Sequence, residues 1–194
     1  MQTILKVVFA FAIIAASILP FFSDTADAKT SYMRAKNKVY YALQNGQPLK
    51  EEYIKTNKKG ESIYRQTYTK TGDSSTFNMK ETKTGLYYYD DKNLSYPIKL
   101  NKSWKVRGIK QKVIDDDATI KVKAGTFKHV VVTRDYRSDN TKNNFYYIVE
   151  YYAPNVGEIL EITHEKIGYY EKHKYHPGTL SVGKEFELSK IKNK

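Results

Sequence analysis

The chain has 194 residues, 33 basic and 21 acidic side chains, a net charge of +12 and no cysteine. At roughly 150 residues per domain this is one domain, and 40% apolar with 28% charged residues is the balance of a folded protein, not a disordered or fibrous one. Without cysteine there is no disulfide scaffold, thiol nucleophile, thiolate metal centre or lipid attachment through an N-terminal cysteine.

Residues 1–28 read as an export signal. Lys6 and the amino terminus give a positive start, Val7 to Phe22 is apolar apart from Ser17 and Pro20, and Ala26 and Ala28 stand at −3 and −1 of a cut after Ala28. The alternative is an uncleaved anchor, for which the run is short, since a span needs about 20 apolar residues. Cleavage leaves a single β-rich domain over 29–194 with 32 basic and 19 acidic residues, all 18 tyrosines and no transmembrane segment. Lysine outnumbers arginine by 28 to 5, a bias that points to an AT-rich, low-GC Gram-positive source. The expected location is extracellular, free or wall-associated.

Ser31 to Gln44 is open to a short helix, although Val39-Tyr40-Tyr41 also suits a strand. Beyond it the signal has period two, with β-branched and aromatic residues between turn formers. Strands are predicted over Glu51–Thr56 and Ser62–Thr69, divided by Asn57-Lys58-Lys59-Gly60. Thr76–Thr82 and Leu86–Tyr89 follow the turns at Gly72 and Gly85. Asp115-Asp116-Asp117 reads as a charged hairpin tip. Thr119–Lys123 and Phe127–Tyr136 flank Ala124-Gly125. Asn144–Tyr152 is aromatic or apolar on both faces, which suits a central strand or one lining a cavity. Pro154-Asn155 presets a turn, and Glu158–Glu165 returns from it. Tyr169–Tyr175 and Lys184–Leu188 complete the series. Hairpins every 8–12 residues define an all-β antiparallel meander, a barrel or curved half-barrel.

Three segments form an ordered series: Tyr96-Pro97-Ile98-Lys99-Leu100-Asn101-Lys102-Ser103-Trp104, Val122-Lys123-Ala124-Gly125-Thr126-Phe127, and Tyr151-Tyr152-Ala153-Pro154-Asn155-Val156-Gly157. The series resembles a β-meander segment of exported bacterial proteins and lipoproteins, similar to the curved sheets of LolA/LolB-type carriers. It covers about a third of the chain, with Asn155 where the pattern favours glycine. The resemblance implies a curved antiparallel sheet and an envelope location, and it transfers no catalytic residue.

Chemistry is sparsely signalled. There is no Gly-x-Ser-x-Gly elbow. Glu171 and His173 share a strand face, and with His176 from the following turn they are the one set that could suggest zinc, against a solvated edge hairpin. The three consecutive aspartates lack calcium-loop spacing. No metal and no cofactor are expected. The tyrosine excess is the most specific feature, because tyrosine combines a large apolar face with a polar tip. Tyr87, Tyr89, Trp104, Phe127, Tyr147 and Tyr151 are the expected ligand-binding residues, on a concave face or its rim. The expected function is non-enzymatic: binding of an apolar or amphiphilic ligand or partner, with lysines steering the protein to anionic envelope polymers or lipid. Export argues against nucleic acid. The alternative is a secreted hydrolase whose histidines and carboxylates converge in a cleft.

Overall fold

The computed structural model describes residues 30–137, 141 and 144–194; the segment expected to be an export signal and most of the stretch 138–143 lie outside them. The described residues contain fourteen strands and no helix. Twelve form one sheet in the order β6-β5-β4-β3-β2-β1-β14-β11-β10-β9-β8-β7. These are β1 (Lys38–Gln44), β2 (Gln47–Thr56), β3 (Ser62–Tyr68), β4 (Ser74–Thr82), β5 (Gly85–Tyr88), β6 (Asp91–Ser95), β7 (Ser103–Val106), β8 (Ile109–Val122), β9 (Gly125–Tyr136), β10 (Phe145–Ala153), β11 (Gly157–Lys166) and β14 (Ser181–Asn193). Every pairing is antiparallel, as hairpin connections require. β12 (Tyr169–Glu171) and β13 (Lys174–His176) form a separate two-stranded sheet.

The meander curls until its edge strands meet, so the sheet is a nearly closed barrel. The closing contacts come from side chains. The Trp104 indole N–H donates to the Lys92 carbonyl at 2.7 Å, and Arg107 pairs with Asp91 at 2.8 Å. No backbone ladder joins β6 to β7, so these side chains are what cover the two edges.

Three sequence expectations are corrected. Ser31 to Gln44 holds no helix. Asn45 and Gly46 take positive φ (49° and 74°), the two-residue turn that Asn-Gly favours, and this turn makes β1 and β2 a hairpin. Asp115-Asp116-Asp117 is not a tip. It lies inside β8, where register shifts between Val113 and Ala118 bulge the strand. Tyr169–Tyr175 is not one strand either, because Lys172 and His173 turn at positive φ and divide it.

The bulges in β8 have a packing consequence. They bend the β8–β9 hairpin back onto the sheet, where the Ala124 N–H donates to the Leu188 carbonyl at 3.1 Å. Val122, with Ile120 and Phe127, joins a buried cluster containing Val132, Val149 and Leu160. A second cluster fills the other side of the barrel with Tyr64, Phe77, Met79, Leu86, Leu94 and Tyr152. Tyr64 stacks on Phe77, and Phe77 on Tyr88, with centroids 5.4 and 4.9 Å apart.

The segment before β1 plugs one end. The Ser31 carbonyl accepts from the Asn155 N–H at 2.7 Å, the Arg34 carbonyl accepts from the Tyr64 hydroxyl at 2.5 Å, and Tyr32 packs into the second cluster. Gly157 lies beneath this segment at φ 81°, where a Cβ would also press on the Arg34 side chain. The Asn45-Gly46, β5–β6, β7–β8 and β11–β12 connections gather at the opposite end, as antiparallel alternation demands.

Candidate functional site

Inward-facing residues can be followed strand to strand, because directly paired residues point to the same side. One row runs Val113, Thr133, Glu150, Glu161, Phe186, Gln44 across six strands. Another runs Val131, Tyr152, Glu158. The bulge at Tyr151/Tyr152 brings Glu158 beside Glu161. As a result the carboxylates of Glu150, Glu158 and Glu161 offer oxygens within 4.8 Å of one another.

These three line a cavity of about 290 Å³ inside the barrel. Glu51, Gln66, Tyr88 and Asn93 complete its polar wall, and Leu49, Val106 and Phe186 its apolar wall. Gln44, Tyr89, Asp91 and Val106 stand beside the turns away from the plug, so the cavity faces that end. A second space of about 280 Å³ shares Glu161 as a wall and adds Tyr146, Thr163, Glu165 and Glu185.

The only guanidinium among these carboxylates, within the described residues, is that of Arg34. It pairs with Glu51 at 2.7 Å, donates to the Val156 carbonyl at 3.2 Å and lies 4.7 Å over the Tyr40 ring. Burial pulls its pKa down, but Glu51 together with Tyr88, Glu158 and Tyr40 more than offsets this and holds it above the usual range. Burial raises Glu51 despite Arg34. Burial, then Glu161, push Glu150 up to about 7, even though it accepts from the Thr133 hydroxyl at 3.1 Å. Glu158 is held well above the carboxylate range by burial and by its two acidic neighbours, and Glu161 is raised by burial and then Glu185.

The cluster is short of donors. Glu158 Oε1 is buried without a hydrogen-bond partner, and in the second space so is the hydroxyl of Thr163, a residue 6% exposed. Unpaired buried acceptors are costly, and a bound cation or ammonium group would supply what is missing. Three convergent carboxylates could also hold a hard metal ion through oxygen. The lumen is therefore acidic in a chain of net charge +12, so the opposite charges are segregated between inside and outside.

The six residues expected to bind ligand fall in separate places. Tyr89 lines the cavity and is 54% exposed. Tyr87 bonds Thr84 at 3.1 Å under the Lys92 ammonium, and Trp104 bridges the seam. Phe127, Tyr147 and Tyr151 pack against the cluster outside the lumen, and Tyr147 is sandwiched by His164 at 4.7 Å and Arg134 at 3.8 Å. The histidines do not gather. His164 stacks on Tyr147, His176 stacks on Tyr169, and none lines the cavity. Sequence reasoning missed Glu51, Glu150, Glu158 and Glu161. The one available signal was Glu150, a lone carboxylate inside an aromatic strand.

No family model matches the chain, and no curated protein does. Among solved structures, the chain is similar to a "putative lipoprotein" from Parabacteroides distasonis. The two share 13% identity over 84% of this chain and 99% of that one, with a TM-score of 0.47.

Proposed function

We propose that this is a non-enzymatic binding protein of the cell exterior that takes a small amphiphile, cationic end first, into the acid-lined lumen of its barrel. The observation that carries the reading is the convergence of Glu150, Glu158 and Glu161 on a cavity that also has Leu49, Val106 and Phe186 as an apolar wall beside the polar Glu51, Gln66 and Asn93. An ammonium head would pair with the carboxylates and satisfy Glu158 Oε1, while a chain would lie along the apolar wall. The exterior charge draws the protein to anionic envelope polymers or lipid, by attraction that salt screens over about 10 Å. The export signal and the resemblance to envelope β-meanders support an extracellular setting.

A hydrolase would need histidines meeting carboxylates. Within the described residues, the His–carboxylate pair at hydrogen-bond distance is His129–Asp117 at 2.6 Å, and both side chains are exposed.

Calorimetric titration with dodecylamine, decanoate and calcium chloride tests the proposal. Saturable binding of dodecylamine, weakened about tenfold in Glu161→Gln, is expected. Equal binding of decanoate, or calcium binding with no response to dodecylamine, would overturn it.

A further inference from the structure

The excursion between β11 and β14 shows a surface that the lumen does not explain. Eight large apolar side chains stand exposed among the described residues, and five of them lie between 167 and 182: Ile167, Tyr169, Tyr170, Leu180 and Val182, each 55–76% exposed. Surface apolar residues are normally scattered, and a contiguous group marks contact with something.

The excursion is built rather than loose. β12 and β13 pair only with each other. Tyr169 stacks on His176 at 5.0 Å, and Tyr170 meets Tyr175 at 5.2 Å. Gly178 runs against the Ile167 backbone, where a Cβ would collide, so the base of the excursion is closed. The rings are thus held outward by a small scaffold at the barrel end away from the plug.

Lysines border them. Lys172 stands in the hairpin turn with His173, Lys174 follows, and Lys166 precedes the excursion. Lys166 is paired opposite Phe145, the first residue of β10. Nearby on the same rim, Arg137 lies 4.4 Å over Tyr146 and Arg134 4.8 Å over Tyr136. Glu165, Glu171, Glu185 and Asp135, which pairs with Arg137 at 3.0 Å, are the acids of this region, fewer than the cations.

We infer that this hairpin docks the open end of the barrel onto an anionic phospholipid surface. Tyrosine places an apolar ring at the acyl boundary and a hydroxyl at the headgroups, and lysine stems extend so that the ammonium groups reach phosphate. Lipid fits better than a soluble polyanion, because a polyol phosphate offers Ile167, Leu180 and Val182 nothing to be buried in. A second copy would set like charges against each other. The inference uses the extracellular setting proposed above but no residue of the lumen, so the two can fail separately.

The test is co-sedimentation with vesicles of phosphatidylglycerol and phosphatidylcholine, comparing the parent with Tyr169→Ser/Tyr170→Ser. Both proteins carry the same N-terminus, so any contribution from residues 7–22 cancels. Both rings are exposed, and circular dichroism confirms that the variant folds. We expect the parent to bind the anionic vesicles and the double variant to bind at least about tenfold more weakly, with dodecylamine binding unchanged. Vesicle binding that is equal in the two proteins would overturn the inference. So would a variant whose sole change is weaker binding to soluble poly(glycerol phosphate), or weaker self-association.

Discussion

The Trp104 indole N–H donates to the Lys92 carbonyl at 2.7 Å, joining the last strand of the sheet to the first. Twelve antiparallel strands become a barrel at a junction made by side chains, with the Arg107–Asp91 pair as its second tie. Arg107 is 78% exposed at its side chain, so that pair is a weak one. The tryptophan is the stronger tie.

Trp104→Phe therefore opens the seam. It keeps most of the packing and removes the donor, with an expected loss of about 1 kcal/mol. Urea unfolding followed by circular dichroism measures the loss. Amide exchange should rise selectively at Lys92 to Ser95. Exchange that rises evenly over the sheet would show that the junction is not a separate weak point.

Arg34 ties the plug to the barrel through Glu51. Arg34→Met leaves Glu51 buried without its cation, and the expected cost is about 3–5 kcal/mol. Adding Glu51→Leu should recover most of this, because no buried charge then remains. A double variant no more stable than Arg34→Met would mean that the arginine acts through its stacking on Tyr40 and its bond to Val156 instead.

The lumenal carboxylates predict an unusual pH dependence. Glu150 is held up to about 7, Glu158 well above the carboxylate range and Glu161 above it, in each case first by burial. Between the unfolded value of roughly 4.3 and the folded value, the native state binds more protons than the unfolded one. The stabilisation is therefore complete below about pH 4 and is lost as pH rises through 7. A difference on the order of 1–3 kcal/mol should separate pH 5 from pH 8, giving a higher Tm at pH 5. A Tm that is flat or rises over that interval would refute the raised values.

The same carboxylates couple ligand to protons. A cation binds their ionised forms, so uptake of dodecylamine near pH 6 should release protons, and affinity should increase towards pH 8. Calorimetry in two buffers of different ionisation enthalpy reads the release. Glu161→Gln should raise Tm at pH 8, by removing a buried charge, while it weakens dodecylamine binding about tenfold. A residue with a purely structural role would not move the two quantities in opposite directions.

Much of the fold is legible in local sequence. The β10–β11 hairpin is marked by Pro154-Asn155 and Gly157, and the turn does form there, with Asn155 and Gly157 at positive φ. β10 was expected to be central or to line a cavity; it lies between β9 and β11, and its Glu150 lines the lumen. Asn45-Gly46 carried an equally strong signal and decides the region that was open to a helix. Reading failed once through an interaction distant in sequence and once through a local turn. Asp115-Asp116-Asp117 has turn composition, but pairing with β9 pulls it into a bulged strand. The Tyr169–Tyr175 run has strand composition, and a turn at Lys172-His173 divides it.

The amino-acid sequence by itself determined that the chain reverses direction again and again as antiparallel strands, because turn residues and period-two patterning act over a few neighbours. Only the tertiary structure decided that Glu51, Glu150, Glu158 and Glu161 share one lumen. That proximity depends on which strands pair, on a single-residue bulge at Tyr151/Tyr152 and on how far the sheet curls before Trp104 reaches Lys92. Those quantities are set by the packing of the whole barrel, and no local run of residues encodes them.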